Sequence, residues 1–540
     1  MEREKYYERC MEVIKRYVDN IVKLGYREVG AGAIFADGIE LESGLPVKWC
    51  FADGKEVEIS NLANQQNLLR VLVALSNLTG EKKYKEMAQK AISYGFSRQH
   101  EYGLLQWGGH RFMDFKTLEV VGIQEKKGEV HELKNCFPFY ELMYEVDKEC
   151  TEKYIKAFWN AHVFKWDTLE INRHGYYVDR GNRLWAHEFQ NPPAFEKAKG
   201  LSFLNAGNDL MYAAGHLVIH SGNKGALIWL IRMVRQYAKA RDKNTLLGAY
   251  QFNQAQVLAA TSNDKDTSSR YGDRAKRQFG EEFGDRALEG KMLLETQART
   301  IYYNNAIILL ELGKSLGNIG KELIEIVRTG LVAFARYAYD KERNVFKPLL
   351  TDGTSLEGYV LKRDGYYGSE GTALECYKAD EEFLLAYTRA YVVTGDCEIG
   401  NMVRNIAFGL GFGEFEFSYG KKMNINMQCD CKSGEALLAI LYLYRHFQCE
   451  EYLELAIRIC DNIISRGIHK NCFVSDSGKR FAKFDCVEPL AILTLCECLL
   501  SKSNCVPTYV SGSGYIHGGY KMKDGTVVPY TTHQLYEEGN

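Results

Sequence analysis

The chain has 540 residues, 46% of them hydrophobic and 26% charged, enough to bury a large core and still carry a polar surface. A formal net charge of -2 excludes a global field for nucleic acid or an anionic membrane, so any attraction for an acidic ligand has to be local. No apolar run approaches the length of a membrane-spanning helix.

The first segment, MEREKYYERCMEVIKRYVDNIVKL, is charged throughout with apolar residues at helical spacing. It lacks the basic start and unbroken apolar core of a secretory leader. The fifteen cysteines are an odd number, and Cys10, Cys376, Cys460, Cys496 and Cys498 fall in apolar stretches that read as helix, so they are expected as small buried hydrophobes in a reducing compartment. Together these features predict a cytoplasmic protein. Cys429-Asp430-Cys431 has half the look of a metal site but no second cysteine pair at zinc spacing.

One pattern recurs along the chain: an amphipathic helix, a short turn with a small or polar residue, then a second amphipathic helix. It is seen at residues 61–96, 204–240, 381–408 and 434–464. Apolar residues repeat at three and four positions within each half, and the short turn forces the halves antiparallel. The units are αα-hairpins, unequally spaced and separated by long Gly-, Tyr- and charge-rich segments, which favours a closed toroid with functional loops over an open solenoid. The fold class expected is all-α, with short strands at GLLQWGGHRFMDF, HGYYVDRG and a β-rich end over about 506–533. With eight prolines and no Gly/Ser/Pro-rich linker, the chain reads as one domain, 1–540, and as a monomer.

Between residues 100 and 187 lie six of the twelve histidines and four of the six tryptophans, which makes this stretch the place to look for chemistry. WGGHRF presents His110 behind two glycines, where the backbone turns tightly. VHELKN offers His131 and Glu132, and INRHGYY offers Arg173 beside His174. Two imidazoles and a carboxylate suit a divalent manganese, cobalt, nickel or zinc ion and suit calcium poorly. On the residues alone, the same groups read more readily as hydrogen-bonded histidines of loops and core than as ligands, and His131 competes with its neighbour Glu132.

The ordered runs GGHRFMDFKTLEVVG, VHELKN with FYELM, FWNAHV, NRHG, KGLSFLNAGNDLMYAAG and SSRYGDRAKRQFG resemble polysaccharide lyase family 2, the pectate and exopolygalacturonate lyases. The resemblance covers residues 60 to 290. It implies an (α/α)7 barrel and a divalent transition metal, Mn2+ with Co2+ or Ni2+ as alternatives, held by His110, Glu132 and His174. Arg173 would be the Brønsted base, and His131 a group behind the ligands. It further implies β-elimination on oligogalacturonide or polygalacturonate.

No nucleophile is needed for that chemistry, in keeping with the lack of a Ser-His-Asp or paired-carboxylate signature. An arginine base implies an alkaline optimum. The acidic substrate calls for a groove of cations and aromatics, for which Trp166, Arg270, Tyr271 and Arg274 are the candidates. A cytoplasmic enzyme would meet imported oligomers, which favours exo release of unsaturated disaccharide. Two other readings remain at this level: an unsaturated-uronyl hydrolase or sugar epimerase on a helical toroid, and a non-catalytic sugar-binding toroid.

Overall fold

The computed structural model describes residues 2–122, 124–125, 128–181, 183–255, 272–417, 423–512 and 514–538. The chain divides into two compact units, one formed by Met1–Ala161, His174–Arg180 and Met427–Asn540, the other by His162–Arg173 and Gly181–Asn426. Among the described residues, no helix is long and apolar enough to cross a membrane.

Both units are built of the expected αα-hairpins, and in two of them the turn chemistry explains where one helix stops and the next begins. In the second unit, helix Leu204–Ser221 ends at Gly222 in the left-handed region (φ 65°), and the adjacent Asn223 starts Lys224–Lys239 by accepting from Ala226 N. Glu381–Thr394 ends in the same way at Gly395 (φ 64°), with Asp396 capping Cys397–Gly409. Glycine reaches positive φ without a Cβ penalty, and the following Asn or Asp satisfies the exposed amides of the next helix. A Gly-Asn or Gly-Asp dipeptide therefore both ends one helix and begins another.

Within each hairpin one helix is buried nearly all round and the other on a single face. In the first unit, Gln66–Thr79 buries twelve residues, whereas its partner Lys82–Ser97 buries Tyr84, Ala88, Ala91, Ile92 and Phe96. Each fully buried Leu or Val in the inner helix contributes about 1.5–3 kcal/mol. Gly434–Phe447 and Glu450–Arg466 form another hairpin of this unit. Helix Glu2–Gly25 packs against its neighbours through Tyr17, whose hydroxyl donates to Phe484 O at 2.6 Å, and through Cys10, 3.9 Å from Cys460 in sulfur–sulfur distance. Cys10, Cys460, Cys496 and Cys498 are buried as expected; Cys376 instead precedes the short strand Tyr377–Lys378 and is partly exposed.

The strands of the first unit position the site. Lys48–Cys50, Glu56–Ser60, Arg111–Asp114 and Val120–Gly122 make a four-stranded antiparallel sheet. A hairpin of His517–Lys521 and Val527–Thr531 packs on it, with Tyr520 and Tyr530 joining Trp49, Val57, Ile59 and Phe112 in one apolar cluster. The expected β-rich end is thus a hairpin over 517–531, and it forms a layer on the sheet that carries His110.

Candidate metal centre

The loop before His110 is held from several sides. Trp107 is buried and donates from Nε1 to Tyr154 OH at 3.2 Å. Asn61 clamps Gly108 at both ends, its Nδ2 donating to Gly108 O (2.8 Å) and its Oδ1 accepting from Gly108 N (3.1 Å). Asn61 is fixed in turn by the buried carboxylate of Asp37, which accepts from Asn61 N at 2.7 Å and from Gln65 Nε2 at 2.8 Å. Burial pushes the Asp37 carboxyl up to about 6, against those hydrogen bonds.

The two glycines make room for Glu132. Gly108 has φ 114°, and a Cβ there would run into the Glu132 carbonyl. A Cβ on Gly109 would run into the Glu132 carboxylate, while its amide donates to Glu132 O at 2.9 Å. Bare backbone is required at Gly108, where the Glu132 backbone lies directly against it; at Gly109 a side chain would displace the Glu132 carboxylate.

Strand alternation separates His131 from Glu132. His131 packs among Tyr154, Phe158 and Tyr177, with ring centroids 5.3–6.2 Å away, so it is a core residue on the opposite face. Glu132 is completely buried and turns its carboxylate toward His110. Gly175 pairs with His131 and Tyr176 with Val130. Carrying that register one residue further sets His174 opposite Glu132.

Donor atoms from three separate segments therefore converge. His110 Nε2 lies 3.1 Å from His174 Nε2 and 3.4 Å from Glu132 Oε2, and His174 Nε2 lies 3.5 Å from Glu132 Oε1. Among the described residues, His110, Glu132 and His174 form the group of ligand atoms within 4.8 Å of one another. Atoms about 2.1 Å from one ion at cis angles are roughly 3.0–3.4 Å apart, so the spacing fits a divalent transition metal.

The electrostatics agree with the spacing. His110 Nδ1 lies 3.1 Å from His517 O; a carbonyl only accepts, so Nδ1 carries the hydrogen and Nε2 presents a lone pair. Burial holds the imidazole down at about 3, opposed by Glu132 and assisted by His517, His174 and Lys134. A lone pair and a carboxylate facing each other at 3.4 Å are two acceptors, an arrangement that a cation stabilises.

Two further groups touch the carboxylate. Lys134 Nζ is 3.5 Å from Glu132 Oε2 and donates to Tyr515 OH at 3.0 Å. His517 Nε2 meets Glu132 Oε2 in a short contact. Sequence reading missed His517, although GYIHGGY flanks a histidine with glycines much as WGGHRF does.

The remaining site candidates have other surroundings. Arg173 is partly exposed and joined to His174 by a peptide bond; the chain just before it is pinned by Asn172 N to His162 O (2.9 Å) and by His162 Nδ1 to Asn172 O (2.7 Å). Trp166 is buried in an aromatic cluster, with His187 stacked on it at 5.1 Å and Trp185 and Trp229 edge-on, so its faces pack protein. Arg274 donates from Nε to Glu289 Oε2 at 3.0 Å and lies 3.6 Å over the Tyr366 ring, an internal clamp at the start of helix Arg274–Phe283. Arg270 and Tyr271 lie outside the described residues.

The chain as a whole is similar to known proteins. The family model described as periplasmic pectate lyase matches residues 32–519. A pectate disaccharide-lyase of Dickeya dadantii (strain 3937) is 34% identical over 538 residues, covering 98% of this chain and 96% of its own. Among solved structures, a cellobiose 2-epimerase from Bacillus thermoamylovorans B4167 is similar at a TM-score of 0.41 and 12% identity, covering 90% of this chain and 99% of its own. An α-mannanase of Bacteroides thetaiotaomicron is similar at a TM-score of 0.40 and 7% identity, covering 91% and 96%.

One expectation is overturned here. The matching family is described as periplasmic, which corrects the cytoplasmic reading. The features behind that reading have structural causes: the charged, amphipathic first helix is patterned by its packing in the first unit, and helical cysteines are buried for the same reason as neighbouring aliphatics. Neither pattern encodes a compartment.

Proposed function

This chain belongs to the periplasmic pectate lyases, polysaccharide lyase family 2, and from that membership we propose that it is a metal-dependent lyase of α-1,4-linked galacturonate that releases unsaturated digalacturonate. The hydrolase, epimerase and non-catalytic readings fall away with that membership. The observation that carries the metal reading is the convergence of His110 Nε2, His174 Nε2 and the Glu132 carboxylate within 4.8 Å. Disaccharide release rests on the name of the Dickeya relative and no longer on compartment.

In β-elimination the C5–H bond breaks and its electron pair is left at C5, shared with the C6 carboxylate. That pair forms the C4–C5 double bond as the C4–oxygen bond breaks, and the departing oxygen takes a proton from solvent. The costly species carries negative charge at C5 beside the C6 carboxylate. A divalent ion held by His110, Glu132 and His174, with Mn2+ preferred over Co2+ or Ni2+, would supply Lewis-acid stabilisation of that charge.

The protein's own groups do the rest. His110, with Nδ1–H on the His517 carbonyl, keeps Nε2 aimed inward. Buried Glu132 brings negative charge between the imidazoles of His110 and His174, with Lys134 alongside. Arg173, one peptide bond from His174, takes the C5 proton on its guanidine. Holding an arginine neutral at pH 7 costs about 7–9 kcal/mol from its reference value; in return it is a base strong enough for a weak carbon acid.

The test uses chelator-stripped enzyme with trigalacturonate, with and without Mn2+, followed by the ultraviolet absorbance of the 4,5-unsaturated product. Absorbance only with metal is the expected result. Equal turnover in excess chelator would overturn metal dependence, and unsaturated monomer or trimer as the first product from polygalacturonate would overturn disaccharide release.

A further inference from the structure

We propose that His517 is a positioning residue of this centre, and that through it the C-terminal hairpin completes a site whose ligands all lie in the first third of the chain. The inference rests on the metal reading above. It is carried by three contacts that converge on this one residue. Its amide donates to Gly109 O at 2.9 Å, its carbonyl lies 3.1 Å from His110 Nδ1, and its ring Nε2 meets Glu132 Oε2.

Each contact acts on a different part of the centre. The amide fixes the glycine loop that delivers His110. The carbonyl selects the His110 tautomer whose Nε2 lone pair faces inward. The ring addresses the carboxylate: an ionised carboxylate only accepts, so Nε2–H of His517 donates to Oε2 and holds the plane of Glu132. His517 is not part of the mutually close ligand set, and its ring lies against His110 with centroids 3.9 Å apart. It therefore orients the ligands rather than joining them.

The hairpin is tied down on both sides of His517. His517 opens the strand His517–Lys521 and pairs with Thr531. Just before it, Ile516 N donates to Thr532 Oγ1 (3.1 Å) and Thr532 N to Ile516 O (2.9 Å). Tyr520 packs edge-on against Trp49 at 5.1 Å, which ties the hairpin to the sheet that carries His110. A side chain set by such a frame arrives at Glu132 with little freedom to lose.

The experiment measures Mn2+ binding by titration calorimetry on the full-length, chelator-stripped protein, with circular dichroism to confirm the fold. His517→Ala is expected to bind Mn2+ about 10–100-fold more weakly. His517→Gln retains an N–H donor at a similar reach and is expected to recover most of that loss. His517→Asn, with a shorter reach, is expected to resemble Ala and serves in its place should the Ala variant not fold. Unchanged Mn2+ affinity in the Ala or Asn variant overturns the positioning role while leaving the metal reading intact, as does a Gln variant as weak as Ala. A wild-type protein that binds no Mn2+ overturns the metal reading and this inference with it.

Discussion

His110 and His174 face each other through their Nε2 atoms at 3.1 Å, although 64 residues separate them. With Nδ1–H of His110 on the His517 carbonyl, the contact brings a lone pair to a second imidazole beside a fully buried carboxylate. The His110 lone pair and the Glu132 carboxylate are two acceptors set against each other, and a cation between them would offset that.

Removing a ligand should separate metal binding from folding. His174→Ala and Glu132→Gln are expected to weaken Mn2+ binding and to lower product formation at least about a hundredfold, because the first takes away one of three proposed donors and the second the only carboxylate charge among them. Calorimetry and the unsaturated-product absorbance check this. A His174→Ala enzyme with wild-type affinity would sink the assignment.

Arg173→Lys should keep Mn2+ affinity while losing about 10²–10⁴-fold in kcat, the range of a general base. For the wild-type enzyme, kcat/KM should rise with pH into the alkaline range, since the fraction of neutral arginine grows there. A flat profile from neutral to alkaline pH, or a Lys variant with near-full turnover, would remove Arg173 from the proton-transfer role.

Gly109→Ala tests the space made for the carboxylate. Its Cβ would fall on the Glu132 side chain, so the variant should fold yet show Mn2+ affinity reduced about tenfold or more, because Glu132 has to turn away. The metal titration decides it, and an Ala variant that binds Mn2+ as wild type does would show the carboxylate has other room.

Asp37 gives a pH prediction with a definite sign. Burial raises its carboxyl from 3.8 to about 6, so between those values the folded protein holds a proton that the unfolded chain releases. Stability from this group therefore rises as pH falls from 6 toward 3.8, and its full burial cost is felt above 6. Relative to Asp37→Asn, which does not titrate, the wild-type protein should gain about 1–1.5 kcal/mol on going from pH 7.5 to 5. Urea unfolding at the two pH values measures the gap, and a gap that does not move would refute the assignment.

Much of the fold was legible because its signals are local. Helical spacing and the Gly-Asn and Gly-Asp turns lie within a few residues of one another, and Gly222-Asn223 and Gly395-Asp396 are where the hairpins turn. His110, Glu132 and His174 were legible through family motifs rather than spacing, since nothing in the distance from 110 to 174 specifies proximity. Trp166 shows the reverse: an aromatic next to a candidate site looks like a sugar platform, yet its burial among Trp185, His187 and Trp229 depends on packing that composition does not encode.

By itself the sequence determined the hairpin units, the types of candidate donor and the glycine loop, because backbone freedom and donor chemistry are properties of single residues and their neighbours. The residues alone left His131 and Glu132 in competition and the resemblance chose Glu132; the tertiary structure supplies the physical reason, through the pleat and the pairing of Gly175 with His131. Only it brought in His517, 385 residues from Glu132, because contacts across that separation are set by how the C-terminal hairpin packs on the sheet.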